Sequence, residues 1–311
     1  MRAVAIERWG GRDRLQLLEL EPPPVAPDGV LVRVRAAGLN PVDAQIREGR
    51  LAAAFPAAFP VILGWDAAGV VERVGPAVTW FAPGDEVYGY CRRHNLQYGT
   101  FAEYTTVPEG FLAPKPPSLS FEEAAAIPLV GLTAHQGLEA LGLRGGETLY
   151  LGGGSGGVGH IAVQLAVARG ARVIATASAA NQDFLRELGA EPLDYAAGDL
   201  EGSVRDLLAD AGADAAFDLL GGDGQELAFS LLRRGGRIVS INTPPEPREG
   251  FEAHYVFVRP SGYDLAEMND LIADGRLRPH VEATYPLERA AEAMERLEEG
   301  HVRGKLVLTV G

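Results

Sequence analysis

Cysteine is nearly absent: the 311 residues contain one, Cys91. A single thiol excludes an intramolecular disulfide, a four-cysteine zinc site and a CxxC redox pair. Lysine is almost as scarce. Of 28 basic residues only Lys115 and Lys305 are lysines, and the rest are arginines. Positive charge is in deficit, with a net charge of −14, so the basic stripe of a general nucleic-acid or anionic-membrane binder is missing. No run of about 18 apolar residues appears, which excludes a hydrophobic span. The N-terminal stretch MRAVAIERWGGRDRLQLLEL has no apolar core of the signal type. These absences lead us to expect a cytoplasmic protein with no nucleic-acid and no membrane partner.

What is present is ordinary globular material. Hydrophobic residues make up 47% and charged residues 23%, and the length suggests two domains. The first 120 residues read as short strands broken by dense turns. Val30 to Arg35 alternates apolar and charged residues, Ala68 to Val74 is a run of β formers, and Glu86 to Tyr90 follows Gly84-Asp85. A barrel-like or irregular antiparallel domain is expected there. Near Pro116 the character changes. Ser120 and Glu123 form a capping-box pattern ahead of a helix, and strands then alternate with helices. Strands are expected at Thr148–Leu151, Arg172–Ala175, Ala215–Leu220 and Arg237–Ile241. Helices are expected at His160–Arg169, Asp183–Leu188 and Gln225–Leu232. This βαβαβ rhythm implies a parallel sheet covered by helices. After Pro260 come a helix over Leu265–Asp274, a strand over Val281–Tyr285, a helix over Leu287–Glu298 and a strand over Lys305–Val310. That tail is too short to fold alone, so we expect it to complete the first domain.

The strongest local feature is the run Gly152 to Gly159, GGGSGGVG. It holds GxGxxG as Gly154, Gly156 and Gly159, after an apolar strand and at the start of a helix. That is the context a dinucleotide fold requires. Gly154 is expected to permit the tight turn, Gly156 to let the backbone approach a pyrophosphate, and Gly159 to let helix and strand pack closely. Gly154, Ser155, Gly156, Gly157, Val158 and Gly159 would then meet the pyrophosphate with N–H groups and the positive helix end. A bare glycine-rich strand–helix turn is the alternative. NAD folds place Asp or Glu at the end of the second strand to hold the ribose 2′-hydroxyl. Here that strand ends at Ala177-Ser178 with no acid. Ser178 is therefore a candidate 2′-phosphate ligand, which favours NADP(H). A helix N-cap is its other reading.

The ordered motifs AAGLNPVDAQIREG from Ala36, LGWDAAGVVERVG from Leu63, PGDEVYGY from Pro83, FAEYTTVP from Phe101, LSFEEAAAIPLVGLTAHQGL from Leu119, GGGSGGVGHIAVQLA from Gly152, RELGAEPLDY from Arg186, FDLLGG from Phe217, RRGGRIVSIN from Arg233 and HVRGKLVL from His301 run through essentially the whole chain. Together they resemble the zinc-free quinone oxidoreductases of the medium-chain dehydrogenase/reductase superfamily. The resemblance implies an α/β fold in which a Rossmann doubly wound parallel sheet is inserted into a GroES-like, partly closed β-barrel. It partitions the chain as residues 1–121 and 260–311 in the catalytic domain and 122–259 in the cofactor domain. It also implies an active site in the cleft between the two and a homodimer joined through the cofactor domains.

The zinc-dependent relatives in that superfamily bind catalytic zinc with Cys, His and Cys. Those positions match Asn40, the Trp65-Asp66 pair and the neighbourhood of Val130-Gly131, so no metal ligand is expected. Oxidising a simple alcohol calls for alkoxide stabilisation by a Lewis acid. Hydride transfer to a quinone or α,β-unsaturated carbonyl needs less, because the acceptor delocalises the charge and hydrogen-bond donors suffice.

By resemblance the catalytic candidates are Asn40, Asp43 and Thr133. Asn40 would bond to the nicotinamide ribose or the substrate, or is a turn residue before Pro41. Asp43 would orient a neighbour, or belongs to a helix N-terminus. Thr133 would lie beside the nicotinamide, or is an ordinary helix threonine. The cofactor candidates, besides the glycine turn and Ser178, are Asn181, Tyr195, Leu220, Asn242, Thr243 and Lys305. Core packing is the alternative for Tyr195, and a solvated side chain for Lys305. The loop Tyr90 to Tyr98 is expected to rim the substrate site, with Arg92 and Arg93 read as surface charges. An NADPH-dependent reductase of a small quinone or enone is the leading function. An enoyl-thioester reductase and a non-catalytic NADPH-binding protein are the alternatives.

Overall fold

The structure is a computed structural model that describes residues 1–209 and 211–311. The chain divides into two compact units. Residues 1–129, 260–275 and 279–311 form the first, and residues 130–259 and 276–278 the second.

The first unit begins with β1 (Arg2–Ile6), β2 (Gln16–Glu19), β3 (Gly29–Gly38), α1 (Pro41–Arg47), β4 (Val61–Ile62), β5 (Asp66–Val74), β6 (Glu86–Tyr90), β7 (Tyr104–Pro108), β8 (Leu112–Pro114) and α2 (Phe121–Ala125). The alternation in β3 does what the pattern demands. Val30, Val32 and Val34 are buried, while Arg33 and Arg35 stay exposed. The strand continues past the alternating run through Ala36, Ala37 and Gly38. A Cβ at Gly38 would overlap the Ala125 carbonyl oxygen, so glycine there lets α2 lie directly on the strand. This contact keeps Phe121–Ala125 within the first unit, several residues past the boundary expected at 121/122. Ser120 caps α2 as its sequence suggests: its hydroxyl accepts the Glu123 N–H at 3.1 Å, and the Glu123 carboxylate accepts the Ser120 N–H at 2.8 Å.

The second unit contains most of α3 (Pro128–Leu141), followed by β9 (Thr148–Leu151), α4 (Gly157–Ala168), β10 (Arg172–Ala177), α5 (Gln182–Glu187), β11 (Glu191–Asp194), α6 (Leu200–Leu208), β12 (Ala213–Asp218), α7 (Asp223–Leu231), β13 (Leu232–Ser240) and β14 (Glu252–Tyr255). Its sheet is fully parallel in the order β11-β10-β9-β12-β13-β14. Leu149, Leu151, Val173, Ile174, Phe217, Ile238 and Val239 are buried in it, as expected for strands covered on both faces. The strand order reverses at β9, with β10 on one side and β12 on the other. Ligands of open α/β sheets bind at the carboxyl ends of strands at such a switch point.

The tail forms α8 (Gly262–Ala273), β15 (Val281–Pro286), α9 (Ala290–Glu298) and β16 (Lys305–Thr309). The single helix expected over Leu287–Glu298 is instead a 3₁₀ turn, Leu287–Arg289, running into α9. β16 pairs antiparallel with the end of β3, placing Val307 opposite Gly38, and the Leu39 N–H donates to the Leu306 carbonyl at 3.0 Å. That register carries Lys305 to the residues that follow β3.

Candidate active site

Two groups of residues stand out, one in each unit. In the second unit the glycine turn joins β9 to α4. Gly153 has φ +76°, so the left-handed residue sits one position ahead of the expected Gly154. Gly154 instead packs against β10: a Cβ there would lie 2.9 Å from the Ala175 Cβ. Gly159 packs on the turn itself and not on a strand, since a Cβ would collide with the Gly153 carbonyl oxygen. Gly156 is the N-cap of α4, with nothing nearer than 3.6 Å to a Cβ position and no side-chain cap. The first backbone bond of α4 runs from the His160 N–H to the Gly156 carbonyl at 3.0 Å. The N–H groups of Gly157, Val158 and Gly159 thus form the open first turn that suits an anion. His160, fully buried, adds a ring contact from Nδ1 to the same carbonyl at 3.0 Å, which favours the Nδ1–H tautomer.

Around this turn the parallel sheet gathers the expected cofactor residues at one edge. Ser178 follows β10, Tyr195 follows β11, Leu220 follows β12, and Asn242 and Thr243 follow β13. Ser178 begins a 3₁₀ turn, yet its hydroxyl makes no cap bond. It accepts instead from Asn181 Nδ2 at 3.3 Å, and the same Nδ2 reaches the Ser155 hydroxyl at 3.2 Å. Asn181 therefore ties the glycine turn to the end of β10, and three neutral polar side chains stand where an NAD fold has a carboxylate. Tyr195 is 46% exposed, which overturns core packing as its reading. Leu220 is also exposed and lies over Gly152 and Gly153. Asn242 Nδ2 donates to the Leu219 carbonyl at 2.7 Å, and the Thr243 carbonyl accepts from Gln225 Nε2 at 3.0 Å.

One organiser of this edge went unread in the sequence. Asp218, at the end of β12, accepts the N–H groups of Leu220 and Gly221 at 2.9 and 2.8 Å. It also accepts Gln225 Nε2 at 3.0 Å and the Ser240 hydroxyl at 2.7 Å. The FDLLGG motif contains that acid, and a buried Asp ahead of two glycines was the available signal. Thr133 lies buried on α3, one turn before Gly137. A Cβ at Gly137 would overlap the Phe217 ring of β12, so this face of α3 is pressed onto the sheet.

In the first unit, Asn40 and Lys305 converge on a further residue, Asp66, and Asp43 holds the backbone of Asn40. Lys305 is 3% exposed, so it is not a solvated lysine. Its Nζ donates to the Leu39 carbonyl and to Asn40 Oδ1, the latter at 2.5 Å, and lies 3.6 Å from Asp66 Oδ2. Asn40 Nδ2 donates to Asp66 Oδ2 at 2.8 Å, and Asp66 Oδ1 accepts the Leu129 N–H at 2.8 Å. Asp43, in the first turn of α1, accepts the Asn40 backbone N–H at 2.8 Å and so orients its neighbour. Both ends of the Asn40 amide are thus engaged. Its second N–H makes only a 3.5 Å contact with the Gly38 carbonyl, and is the donor left for another acceptor.

Burial sets the electrostatics here. It pushes the Asp43 carboxyl up to about 7 and the Asp66 carboxyl up to about 6, despite the opposing pull of Lys305. Burial also lowers the Lys305 ammonium, while the two carboxylates raise it. The cluster therefore holds a proton near neutral pH. Its donor set does not fit a zinc ion: an ammonium and an amide occupy the carboxylates, and neither is a metal ligand of the required kind. Among the described residues no three His, Cys, Asp or Glu side chains gather to hold a metal.

The loop after β6 departs from its reading as a charged surface. Arg92 and Arg93 are both half-buried, and Arg92 stacks over Phe55 and Tyr90 at 5.6 and 5.8 Å. The Cys91 thiol is buried, and its pKa is raised by that burial. Among the described residues no helix is long and apolar enough to cross a membrane.

Comparison with known proteins accords with this geometry. A family described as "Alcohol dehydrogenase GroES-like domain" matches residues 26–117, and one described as "Zinc-binding dehydrogenase" matches residues 188–308. The chain is 36% identical to an NADPH-dependent alkenal/one oxidoreductase, chloroplastic, of Arabidopsis thaliana, covering 99% of this chain and 79% of that protein. The solved quinone oxidoreductase of Coxiella burnetii superposes with a TM-score of 0.88 at 32% identity, covering 100% and 99% of the two chains. A solved NAD-dependent alcohol dehydrogenase gives 0.89 at 36% identity over the full length of both.

Proposed function

The chain belongs to the quinone oxidoreductases of the medium-chain dehydrogenase/reductase superfamily, and we propose that it reduces a quinone or α,β-unsaturated carbonyl with NADPH and without zinc. The observation that carries the cofactor choice is the Ser155–Asn181–Ser178 grouping at the end of β10. A carboxylate at that edge would repel a 2′-phosphate, whereas hydroxyl and amide groups donate to it. Two features support a dinucleotide at the glycine turn: the close packing of Gly159 on Gly153, which leaves no room for a Cβ, and the open N–H groups of Gly157 to Gly159 at the helix start. Bound NADPH would supply the hydride for an electron-poor carbon.

The chain's own residues supply the rest. Gly157, Val158 and Gly159 hold the pyrophosphate through backbone N–H groups. Ser155, Ser178, Asn181 and the exposed Tyr195 receive the 2′-phosphate, and Leu220, Asn242 and Thr243 border the dinucleotide along the sheet edge. In the first unit the second N–H of Asn40 donates to the oxygen on which charge develops; in the second unit Thr133 stands beside the nicotinamide. Asp43, Asp66 and Lys305 act through Asn40 by fixing its amide, which reassigns Lys305 from cofactor ligand to positioning residue. We also infer a homodimer joined through the second unit, where β14 is a sheet edge.

The test is consumption of NADPH and NADH, followed by nicotinamide absorbance, with a panel of quinones and enones. Turnover with NADPH in preference to NADH is expected. No turnover with any acceptor would overturn the proposal.

A further inference from the structure

Among the described residues each fully buried lysine or arginine has its carboxylate. Arg47 pairs with Glu48 at 2.7 Å and Glu298 at 2.5 Å, Lys115 with Glu86 at 3.2 Å, and Lys305 with Asp66 at 3.6 Å. Arg93 has no such partner. It is half-buried, its Nε is sealed from solvent without a hydrogen bond, and among the described residues no carboxylate lies within ion-pair range. Asp28 attracts it only from farther away. A guanidinium stays charged at any physiological pH, so even this partial withdrawal from water without a counter-ion has a cost.

Arg93 also borders a cavity of about 10 Å³ within the first unit, shared with Trp65, Cys91, Gln97 and Tyr98. That is room for one oxygen-sized group. The side chains of Gln97 and Tyr98, like that of Arg93, make no hydrogen bond among the described residues, so three residues that line this space have unengaged polar side chains. The cavity adjoins the polar cluster. Trp65 immediately precedes Asp66, and the Cys91 N–H donates to the Trp65 carbonyl at 2.5 Å.

We propose that Arg93 is a specificity-determining residue that receives a carboxylate on the acceptor, so that the preferred substrates are enones or quinones carrying an acid group. One carboxylate oxygen occupies the cavity and the guanidinium fork meets the anion. The proposal deepens the function given above and rests on it.

Two acceptors that share one enone skeleton, one anionic and one neutral, test it: trans-4-oxo-2-pentenoate and its methyl ester, each with NADPH. The wild type is expected to favour the acid in kcat/KM. Arg93→Gln should lower kcat/KM for the acid by about 30-fold, mainly through KM, and change the ester by less than about 2-fold. Arg93→Lys should keep part of the acid preference. Equal use of acid and ester by the wild type, or an equal loss for both in Arg93→Gln, overturns the proposal. Failure of the parent reading is separable by calorimetric binding of 4-oxopentanoate, which cannot be reduced as an enone, against its methyl ester. Binding of the acid alone, lost in Arg93→Gln, supports the subsite even without turnover. Absent or equal binding of the two overturns it.

Discussion

Lys305 Nζ and Asn40 Oδ1 lie 2.5 Å apart, joining residues separated by 265 positions in the chain. The bond exists because β16 returns antiparallel to β3 and brings the second of two lysines to the segment that follows β3. An ammonium, an amide and two carboxylates interlock there. The first-unit site is thus a closed polar cluster whose parts support one another.

Removing the ammonium exposes that dependence. Lys305→Met leaves Asp43 and Asp66 buried without a cation, and should destabilise the protein by about 3–5 kcal/mol. Urea unfolding checks this. The double variant Lys305→Met/Asp66→Asn should recover part of the loss, because it also removes a buried charge.

The raised carboxyl of Asp43 predicts a pH dependence of definite sign. Its folded value of about 7 exceeds the ordinary aspartate value of 3.8, so the folded state holds the proton more tightly in between. Stability from this group is full below about 4 and is lost as pH rises through about 7. Asp66 contributes in the same direction, with a folded value of about 6. The Asp43→Asn variant cannot titrate there, so its Tm should fall less than that of the wild type between pH 5 and pH 8. Thermal melts across that range give the answer. An unchanged slope would contradict the account.

Gly159→Ala sets a side chain against the Gly153 carbonyl oxygen, which is backbone and cannot rotate away. The glycine turn must shift. NADPH affinity should weaken by at least about 10-fold, read by fluorescence titration, because a misplaced turn no longer aims its N–H groups at the pyrophosphate.

Ser178→Asp restores the carboxylate of an NAD fold at the end of β10. The acid repels a 2′-phosphate and accepts from a 2′-hydroxyl. Parallel kinetics should show kcat/KM for NADPH falling by about 100-fold while that for NADH holds or rises.

The parts legible in the sequence were those written in local grammar. Gly152 to Gly159, the Ser120–Glu123 cap and the alternation of Val30 to Arg35 each declare their structure within a few residues. β14 went unread because its four residues earn strand geometry only by pairing with β13. β13 itself starts at Leu232, five residues ahead of the strand expected from Arg237, because pairing overrides local propensity. The cofactor edge was readable because parallel strands put every strand end on one side. The role of Asp66 was not, since its partners stand 26 and 239 positions away. Arg93 was misread for a related reason: a charged residue in a loop looks solvated until burial and missing partners are seen together.

The most direct measurement follows the hydride itself. NADPH carrying deuterium at the transferable C4 position is reacted with an enone, and the product is analysed by mass and NMR. The account predicts one deuterium at the β-carbon of a saturated ketone, with the α-hydrogen drawn from water. Deuterium on the carbinol carbon of an allylic alcohol would contradict it, because the carbonyl itself would then be the site of reduction.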